Sequence, residues 1–399
     1  MLTGNRQTLA ESRLALDGPR PSFSRALWRI AAADVSCGNK VTLLRDGANT
    51  FDAMLALIEG ATTSVEFEGY IFRRDEVGQR FAEAFVAAAR RGVQVRCLID
   101  WFGRLPTPRS FFRQMQRQGV DVRFFSPLGF RAWLGLIPRD HRKVLVVDGR
   151  SGVTGGIGIG TEWRQYGVIR RRSSPWRDTA VQLDGDAAQY LLEAFERMWE
   201  RAHGRVGPRP RQVRPPRSSF LNTRLHPPSL VGIIEGEPGR FRVSRSMQIQ
   251  AVAAQRSIYI ASAYFSPSSS EIEALAGAAR DGVDVRILVP SRYDHFWLRG
   301  LMTRSYHRLL RNGVRIWEWR GEMMHAKTSV VDGRWVRVGS TDFNPMGVAI
   351  CYELDAVIED PELGAQAEAM FLEDLTRSRE IRPAATPQGA DSVKRIGIE

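Results

Sequence analysis

The sequence predicts an α/β protein made of two similar domains with mixed, mainly parallel sheets. The first observation behind this prediction is an internal repeat, since both halves of the 399 residues show the order strand, helix, strand, helix, strand. The second is that parallel strands need crossover helices, which then cover both faces of the sheet. A hydrophobic content of 43% and a charged content of 25% are typical of a folded protein of this length.

The repeat begins with two β-branched and aromatic runs, SVEFEGYIF at 64–72 and SIYIASAYF at 257–265, which predict strands. Each run precedes a helical pattern in which apolar residues recur at three- and four-residue intervals and a glycine ends the helix. Further strands and helices follow, up to HRKVLVVDG at 141–149 and HAKTSVVDG at 325–333. These last segments are 184 residues apart, which indicates a duplicated domain with few insertions.

Composition sets the expected domain bounds. A run of prolines and arginines, GRVGPRPRQVRPPR at 204–217, cannot form a core and is typical of an extended linker. We therefore expect an N-terminal extension over 1–40, a first domain over 41–203, an Arg/Pro-rich linker over 204–230, a second domain over 231–381 and a flexible tail over 382–399.

The net charge of +13 is carried almost entirely by arginine, because the chain contains only four lysines. This charge favours a polyanionic partner, either an anionic membrane surface or nucleic acid. No apolar stretch reaches the roughly 18 residues of a transmembrane helix. The basic, partly apolar segment 24–33 could lie on a membrane surface or pack against the following domain. The three well-separated cysteines are expected to be free thiols in a reducing compartment.

The strongest chemical signal is the pattern H-x-K-x4-D, which occurs once in each half and uses two of the four lysines. Residues two apart on a strand point to the same side, so the histidine and the lysine of each motif should face one way together. A lysine can hold phosphate oxygens as a compact charge while a neighbouring histidine reaches the phosphorus. The residues are His141, Lys143 and Asp148 in the first half and His325, Lys327 and Asp332 in the second.

These motifs, together with GVTGGIGIG at 152–160, VGSTDFNP at 338–345 and YELDAVIED at 352–360, resemble the phospholipase D superfamily, and within it the bacterial cardiolipin-synthase-like proteins. The resemblance extends from about Val41 to about Glu380. It implies two α/β/α domains of the phospholipase D type, packed about a pseudo-two-fold axis around one active site. It also implies that oligomerisation is not required to complete that site.

The resemblance further implies a mechanism through a covalent phosphohistidine. Carried over to this chain, His141 is the nucleophile, and His325 is the acid and then the base. Lys143 and Lys327 bind the non-bridging phosphate oxygens. The chemistry implies no metal and no cofactor.

In the family, each histidine is oriented by a carboxylate further along the chain. Asp178, which lies 37 residues after His141, and Glu353, which lies 28 residues after His325, are the expected orienting groups, each counted from the histidine of its own half. Asp148 and Asp332 each precede a glycine, which favours a structural role in a turn over contact with substrate.

The chain departs from the family pattern G-G/S-x-N that usually follows each motif. The first half has GGIG at 155–158 and so lacks the asparagine, whereas the second half has GSTD at 339–342 with Asn344 after it. The small residues stand where the family's chain approaches the phosphate. The expected substrate-binding residues are Gly156, Ser340, Asp342 and Asn344.

The leading functional hypothesis is phosphatidyl transfer between phospholipids or phospholipid hydrolysis, by a cytoplasmic protein peripherally associated with the inner membrane. Candidate lipid contacts are 128–138, 297–302 and the arginines at 170–172, although each of these could instead be core or solvated surface. The alternative is a nuclease or another nucleic-acid phosphodiesterase of the same superfamily. A non-catalytic membrane-associated scaffold is a remote third hypothesis, because both His-Lys pairs are intact.

Overall fold

The computed structural model of the protein describes residues 28–126, 138–164, 174–202, 229–293, 300 and 302–382. Over these residues the chain forms two sheets with helices packed against them. Within the same part of the chain, no helix is both long enough and apolar enough to cross a bilayer.

The elements of the first half follow the predicted order closely. They are β1 (Asp34–Ser36), β2 (Lys40–Arg45), α1 (Asp46–Glu59), β3 (Ser64–Gly69), α2 (Glu76–Arg90), β4 (Gln94–Asp100), α3 (Arg109–Arg117), β5 (Asp121–Phe125), β6 (Arg139–Asp140), β7 (Lys143–Val147), β8 (Ser151–Gly155), β9 (Thr179–Asp184) and α4 (Asp186–Ala202).

The second half repeats this order after residue 229. Its elements are β10 (Leu230–Gly236), α5 (Arg242–Ala253), β11 (Ser257–Ser262), α6 (Ser269–Arg280), β12 (Asp284–Pro290), α7 (Tyr306–Arg311), β13 (Arg315–Trp319), β14 (Lys327–Val331), β15 (Trp335–Gly339), α8 (Pro345–Ile350), β16 (Cys351–Glu359), α9 (Pro361–Thr376) and β17 (Ser378–Ile381).

Local sequence explains the two helices that follow the first strand of each repeat. In α2 the carboxylate of Asp75 accepts the amide of Gly78, and the apolar residues fall on one buried face. In α6 the side chain of Ser268 and that of Glu271 form a reciprocal capping box. Both helices end before a glycine with positive φ, which reverses the chain into the next strand.

Strand order shows the repeat in three dimensions. The described strands of the first sheet follow the order β2-β9-β8-β7-β3-β4-β5, and those of the second follow β1-β10-β16-β15-β14-β11-β12-β13-β17, with β6 paired to β16. The two α/β domains with mixed sheets are therefore confirmed.

The expected predominance of parallel pairs is wrong. Parallel pairing is confined in the first sheet to β3-β4 and β4-β5, and in the second to β11-β12, β12-β13 and the short β6-β16 pair. The physical reason is that each motif strand, β7 or β14, joins its neighbour through a tight hairpin, and a hairpin makes strands antiparallel.

The two halves share a hydrophobic core. Separate clusters pack the outer helices on each sheet, and a further cluster lies between the sheets. That cluster joins Val144 and Val146 of β7 to Val338 of β15 and Leu354 of β16, with residues of α4 and α9. A shared core holds the two motif strands in a defined relation across the boundary between the halves.

The N-terminal segment does not behave as an independent extension. Strand β1 pairs antiparallel with β10, so residues before the first domain form an edge of the second sheet. Trp28, in the described part of segment 24–33, is buried and its ring lies 6.1 Å from that of Trp335. Trp28 is therefore part of the core, whereas Ile30 in the same segment is 38% exposed. Almost all of the predicted linker and tail lies outside the described residues, and the domain bounds stay a prediction.

Candidate active site

Each motif places its histidine and lysine at the start of a central strand. Lys143 begins β7 and Lys327 begins β14, and each histidine lies two residues earlier. Gly69 of β3 pairs with Lys143, and Ser262 of β11 pairs with Lys327, so the motifs occupy the same place in both sheets. Both motifs therefore reach the same end of their sheets.

The backbone of each histidine is bound by the other half of the chain. The amide of His141 donates to the carbonyl of Tyr352 at 2.9 Å, and the amide of His325 donates to the carbonyl of Arg177 at 2.7 Å. Tyr352 and Arg177 directly precede the two predicted carboxylates. The halves are thus joined at the residues that carry the chemistry.

The carboxylates also cross between the halves. Nδ1 of His141 lies 3.0 Å from Glu353, and Nδ1 of His325 lies 2.7 Å from Asp178. Asp178 and Glu353 therefore do contact histidine rings, but the expected pairing within each half is wrong. Packing about the pseudo-two-fold axis brings the end of β6 against the start of β16, which sets Glu353 beside the first-half histidine.

Asp178 is held as an ionised carboxylate. Besides His325 it accepts the indole N–H of Trp163 at 2.9 Å and the amide of Thr179 at 2.8 Å. Burial alone would raise the pKa of Asp178, but His325, Lys327 and these donors hold that pKa below its usual value. Gly156 makes room for it, because a Cβ there would lie 2.2 Å from Oδ1 of Asp178.

Glu353 has a different environment. Burial raises its pKa to about 8, with Lys143 and a hydrogen bond from Ser340 opposing the shift. The hydroxyl of Ser340 also accepts the amide of Leu354 at 2.9 Å, which ties it to β16. The two orienting carboxylates therefore differ in their tendency to carry a charge.

His325 is buried and His141 is half-buried, and both imidazoles lie beside cations. Burial, followed by Lys143 and Lys327, lowers the pKa of His141 well below its usual value, and burial and Lys327 lower that of His325. The crossed contacts with Glu353 and Asp178 bring both His-Lys pairs into one site. A neutral ring that donates Nδ1–H to a carboxylate keeps its Nε2 lone pair available.

Both lysines are held by the same kind of backbone contact, but the residue at the position of Asp342 differs between the two halves. Nζ of Lys143 donates to the carbonyl of His141 at 2.5 Å, and Nζ of Lys327 donates to that of His325 at 2.8 Å. Lys327 also lies 3.3 Å from Asp342, whereas the matching position of the first half is Gly158. Burial lowers the pKa of Lys143 to about 8.

Of the remaining predicted residues, one pair lies near this site and the other pair lies far from it. Asp342 accepts the amide of Tyr264 at 3.1 Å and contacts Lys327. Asn344 directly precedes α8, and its backbone N–H donates to the carbonyl of Asp342. Asp148 and Asp332 lie at the far ends of β7 and β14.

There, both aspartates have positive φ and precede a glycine with positive φ, which is the geometry of a tight hairpin turn. Asp148 accepts the amides of Thr62, Thr63 and Ser64, which lead into β3. Asp332 does the same for the residues leading into β11. These contacts are structural, as the Asp-Gly pairs indicate.

The sequence motifs did not predict the aromatic rings that surround the two histidines. Tyr70 packs edge-on against His141 at 5.0 Å, and Tyr264 lies 6.4 Å from His325. Trp163 and Trp176 flank His325, each at 5.5 Å between ring centroids. A signal existed for the tyrosines, because each repeat places a tyrosine and a phenylalanine within three residues after the first strand.

A buried charged cluster beside His141 was also missed. Glu68 is fully buried, and burial and Asp140 raise its pKa well above its usual value. The pKa of Asp140 is raised to about 6 by burial. Arg142, which is buried with them, donates to Glu235 at 3.3 Å. The signal for this cluster was Glu68 itself, a charged residue in an otherwise buried strand.

Most of the candidate lipid contacts lie outside the described residues, namely 128–137, 170–172, 297–299 and 301. Met302 is fully buried, so it is core and not a lipid-facing surface. Among the described residues, no group of three or more His, Cys, Asp or Glu side chains could hold a metal ion.

Two His-Lys pairs that meet between two repeated domains, each histidine bound to a carboxylate, define a phosphodiester-transfer site of the phospholipase D type. Residues 54–199 and 249–375 match the family described as "Cardiolipin synthase, PLD-like domain". The chain belongs to this family and is an enzyme of the phospholipase D superfamily.

Two curated relatives support the assignment, and this chain covers about 70% of the length of each. A cardiolipin synthase of Listeria monocytogenes serotype 4a is 31% identical over 353 residues, which cover 86% of this chain and 70% of the relative. A cardiolipin synthase of Geobacillus sp. is 30% identical over 95% of this chain and 74% of its own.

Among solved structures, the phosphatidylserine synthase of Haemophilus influenzae superposes with a TM-score of 0.65 over 90% of this chain and 92% of its own. It is 16% identical, so it supports the fold.

Proposed function

We propose that this protein transfers a phosphatidyl group between phospholipids through a phosphohistidine intermediate. The observation that carries the proposal is the crossed pairing of His141 with Glu353 and of His325 with Asp178. The mechanism requires a neutral histidine as the nucleophile and a protonated histidine as the acid. The two orienting carboxylates differ in the direction of their pKa shifts, which suits these two roles. The names of the relatives, cardiolipin synthase and phosphatidylserine synthase, favour a phospholipid as the substrate.

His141 is the nucleophile in this proposal. Its lowered pKa keeps the ring neutral, and donation of Nδ1–H to ionised Glu353 leaves Nε2 free to attack phosphorus. The new N–P bond forms as the bond from phosphorus to the leaving alcohol oxygen breaks. Glu353 then stabilises the positive charge that develops on the ring.

His325 is the acid of this first step. Asp178 is the carboxylate with the lowered pKa, so it stabilises an imidazolium better than Glu353 does. Burial and Lys327 keep the resting ring of His325 neutral, and the negative charge of the bound phosphate opposes Lys327 and raises the pKa of His325, so that Nε2 takes up a proton from solvent before the reaction. The proton moves from Nε2 of His325 to the leaving oxygen.

The two lysines bind the non-bridging phosphate oxygens. Each Nζ is fixed by the carbonyl of its motif histidine and is buried, so its charge acts in a site that holds little water. These ammonium groups stabilise the charge that increases on phosphorus oxygens in the transition state.

In the second step, neutral His325 takes a proton from an acceptor hydroxyl, whose oxygen attacks the phosphohistidine and releases His141. An alcohol acceptor gives a new phospholipid, and water gives phosphatidic acid. We place the protein at the cytoplasmic surface of the inner membrane, where its substrate would be found.

The test is incubation of the purified protein with phosphatidylglycerol vesicles, with and without glycerol, followed by mass spectrometry of the lipids. Cardiolipin or exchanged headgroups are expected from the wild type and not from His141→Ala. The matched control is His307→Ala, since His307 is an exposed histidine on α7 outside the site.

Other outcomes would redirect the proposal. Phosphatidic acid alone would indicate a hydrolase at the same site. Absence of lipid turnover together with cleavage of DNA, lost in His141→Ala, would overturn phosphatidyl transfer in favour of a nuclease.

A further inference from the structure

The loop after β4 exposes two large apolar side chains next to the site. Phe102 is 54% exposed and Leu105 is 46% exposed, and the amide of Leu105 donates to the carbonyl of Phe102. In a helical turn, residues three apart lie on the same side. The loop 101–107 therefore presents one small apolar surface to solvent.

Hydrogen bonds to neighbouring segments hold the backbone of the loop, so this exposure is built into the fold. The carboxylate of Asp100 accepts the amides of Phe102 and Gly103, and Thr107 donates its hydroxyl to the carbonyl of Phe72. The buried guanidinium of Arg104 lies over the rings of Trp101 and Phe124. These contacts hold the backbone of the loop, and the two apolar side chains remain exposed to solvent.

The loop is also joined to the active site. The backbone of Gly103 lies against the carbonyl of Tyr70, where a Cβ would be only 2.0 Å away, and Tyr70 packs on His141. Asp100 also accepts the amide of Asp140, the residue before His141. The exposed pair therefore stands at the rim of the phosphate site.

An arginine stripe continues this surface. Arg109, Arg113 and Arg117 are all exposed and recur every four residues on α3, whose other face is buried through Phe111, Phe112 and Met115. From 101 to 120 the sequence contains four arginines and no acidic residue. Apolar side chains beside a row of cations match an interface with acyl chains below and anionic headgroups above.

We propose that the loop 101–107 and the arginine stripe of α3 dock the protein on an anionic phospholipid bilayer. Phe102 and Leu105 enter the acyl region, and the stripe contacts the headgroups. The docking surface rests on the proposed function, because it brings the phosphate site to the membrane that holds its substrate.

The test is flotation of the full chain with vesicles of mixed phosphatidylglycerol and phosphatidylcholine, and with vesicles of phosphatidylcholine alone. Phe102→Ser with Leu105→Ser is expected to weaken binding to the mixed vesicles by about tenfold or more. Each arginine of the stripe changed to glutamine is expected to weaken it by roughly fivefold, with a smaller effect at high salt.

The matched control changes two exposed apolar residues elsewhere, Val252→Ser with Leu372→Ser, and is expected to bind as the wild type does. Equal binding by the wild type and the loop variant would overturn the proposal. A dimer that the loop variant dissociates would also overturn it, because a second copy would then cover the surface. So would loss of nucleic-acid binding in the stripe variant with vesicle binding unchanged.

Turnover of a short-chain phosphatidylglycerol below its micelle concentration separates the docking surface from the chemistry. We expect the loop variant to retain wild-type turnover there and to lose it on vesicles. Failure of the wild type on the short-chain lipid would contradict the proposed function, whereas the flotation result would still decide the docking surface.

Discussion

Glu353 contacts the imidazole of His141 at 3.0 Å although 212 residues separate them in the chain. The reciprocal contact joins His325 to Asp178 across 147 residues. Each half of the chain thus supplies a histidine to the site and a carboxylate to the histidine of the other half. The two contacts are equivalent in position and unequal in electrostatics, because the pKa of Glu353 is raised and that of Asp178 is lowered.

The roles of the two histidines can be separated by the leaving group. His325→Ala is expected to lower kcat about 10²- to 10⁴-fold with a natural lipid, because the departing alkoxide is no longer protonated. An activated aryl phosphodiester needs no such proton, so His325→Ala should retain far more of its first step. His141→Ala should lose both reactions, and covalent label on the protein should persist only in His325→Ala. The opposite pattern of labelling would exchange the two roles.

The pH dependence of kcat/KM should follow the ionisation of Glu353 and of Lys143. Glu353 is active as the carboxylate and its raised pKa is about 8, so kcat/KM should rise as pH increases to that value. Lys143 is active as the ammonium and its lowered pKa is about 8, so kcat/KM should fall above it. A narrow maximum near pH 8 is expected. Glu353→Gln should remove the rising limb, and His307→Ala should leave the profile unchanged; a rising limb that persists in Glu353→Gln would contradict the assignment.

Gly156 should be sensitive to a single methyl group. In Gly156→Ala the new Cβ would lie 2.2 Å from Asp178, and it must move that carboxylate away from His325. We expect a loss of about 10²-fold in kcat with a small change in Tm, since misplacement of a catalytic contact by about 1 Å has effects of this size. Gly277→Ala, at an open helical position, is the control for methyl addition. Full activity in Gly156→Ala would show that Asp178 does not position His325.

Asp148 should matter for stability and not for chemistry. Asp148→Ala removes an acceptor for three backbone amides, and we expect a loss of about 1–2 kcal/mol in the free energy of unfolding, because the turn is exposed to solvent. Hydrogen bonds hold the pKa of Asp148 below its usual value. The stabilisation is therefore present near neutral pH and lost as pH falls through the lowered pKa. Urea unfolding at neutral and acidic pH measures both effects, and a large change in kcat at neutral pH would contradict the structural role.

The sequence predicted the features that recur as local patterns in both halves of the chain. The motif residues, the paired strands and the Asp-Gly turns recur in both halves, so each copy supports the other. The crossed carboxylates could not be predicted in the same way. Their partners follow from how the two sheets pack against each other, and counting from His141 to Asp178 measures only distance along the chain.

The charged cluster of Glu68 and Asp140 escaped prediction for a related reason. A carboxyl in a strand is ordinarily assigned to the solvent side, yet Glu68 is fully buried beside the charged groups of Asp140 and Arg142. Similarly, Trp28 and β1 precede the first repeat and pack on the second, which no period in the sequence indicates.

The position of β1 has a consequence for how the chain is synthesised. Strand β1 is synthesised before its hydrogen-bonding partner, β10, which lies about 200 residues later, so the edge of β1 stays unpaired while the whole first domain is made. Completion of the second sheet then joins β1 to the second half of the chain. A gene divided within 204–228 would yield an N-terminal fragment that carries a strand of the other fragment, and the two pieces would have a built-in means of finding each other.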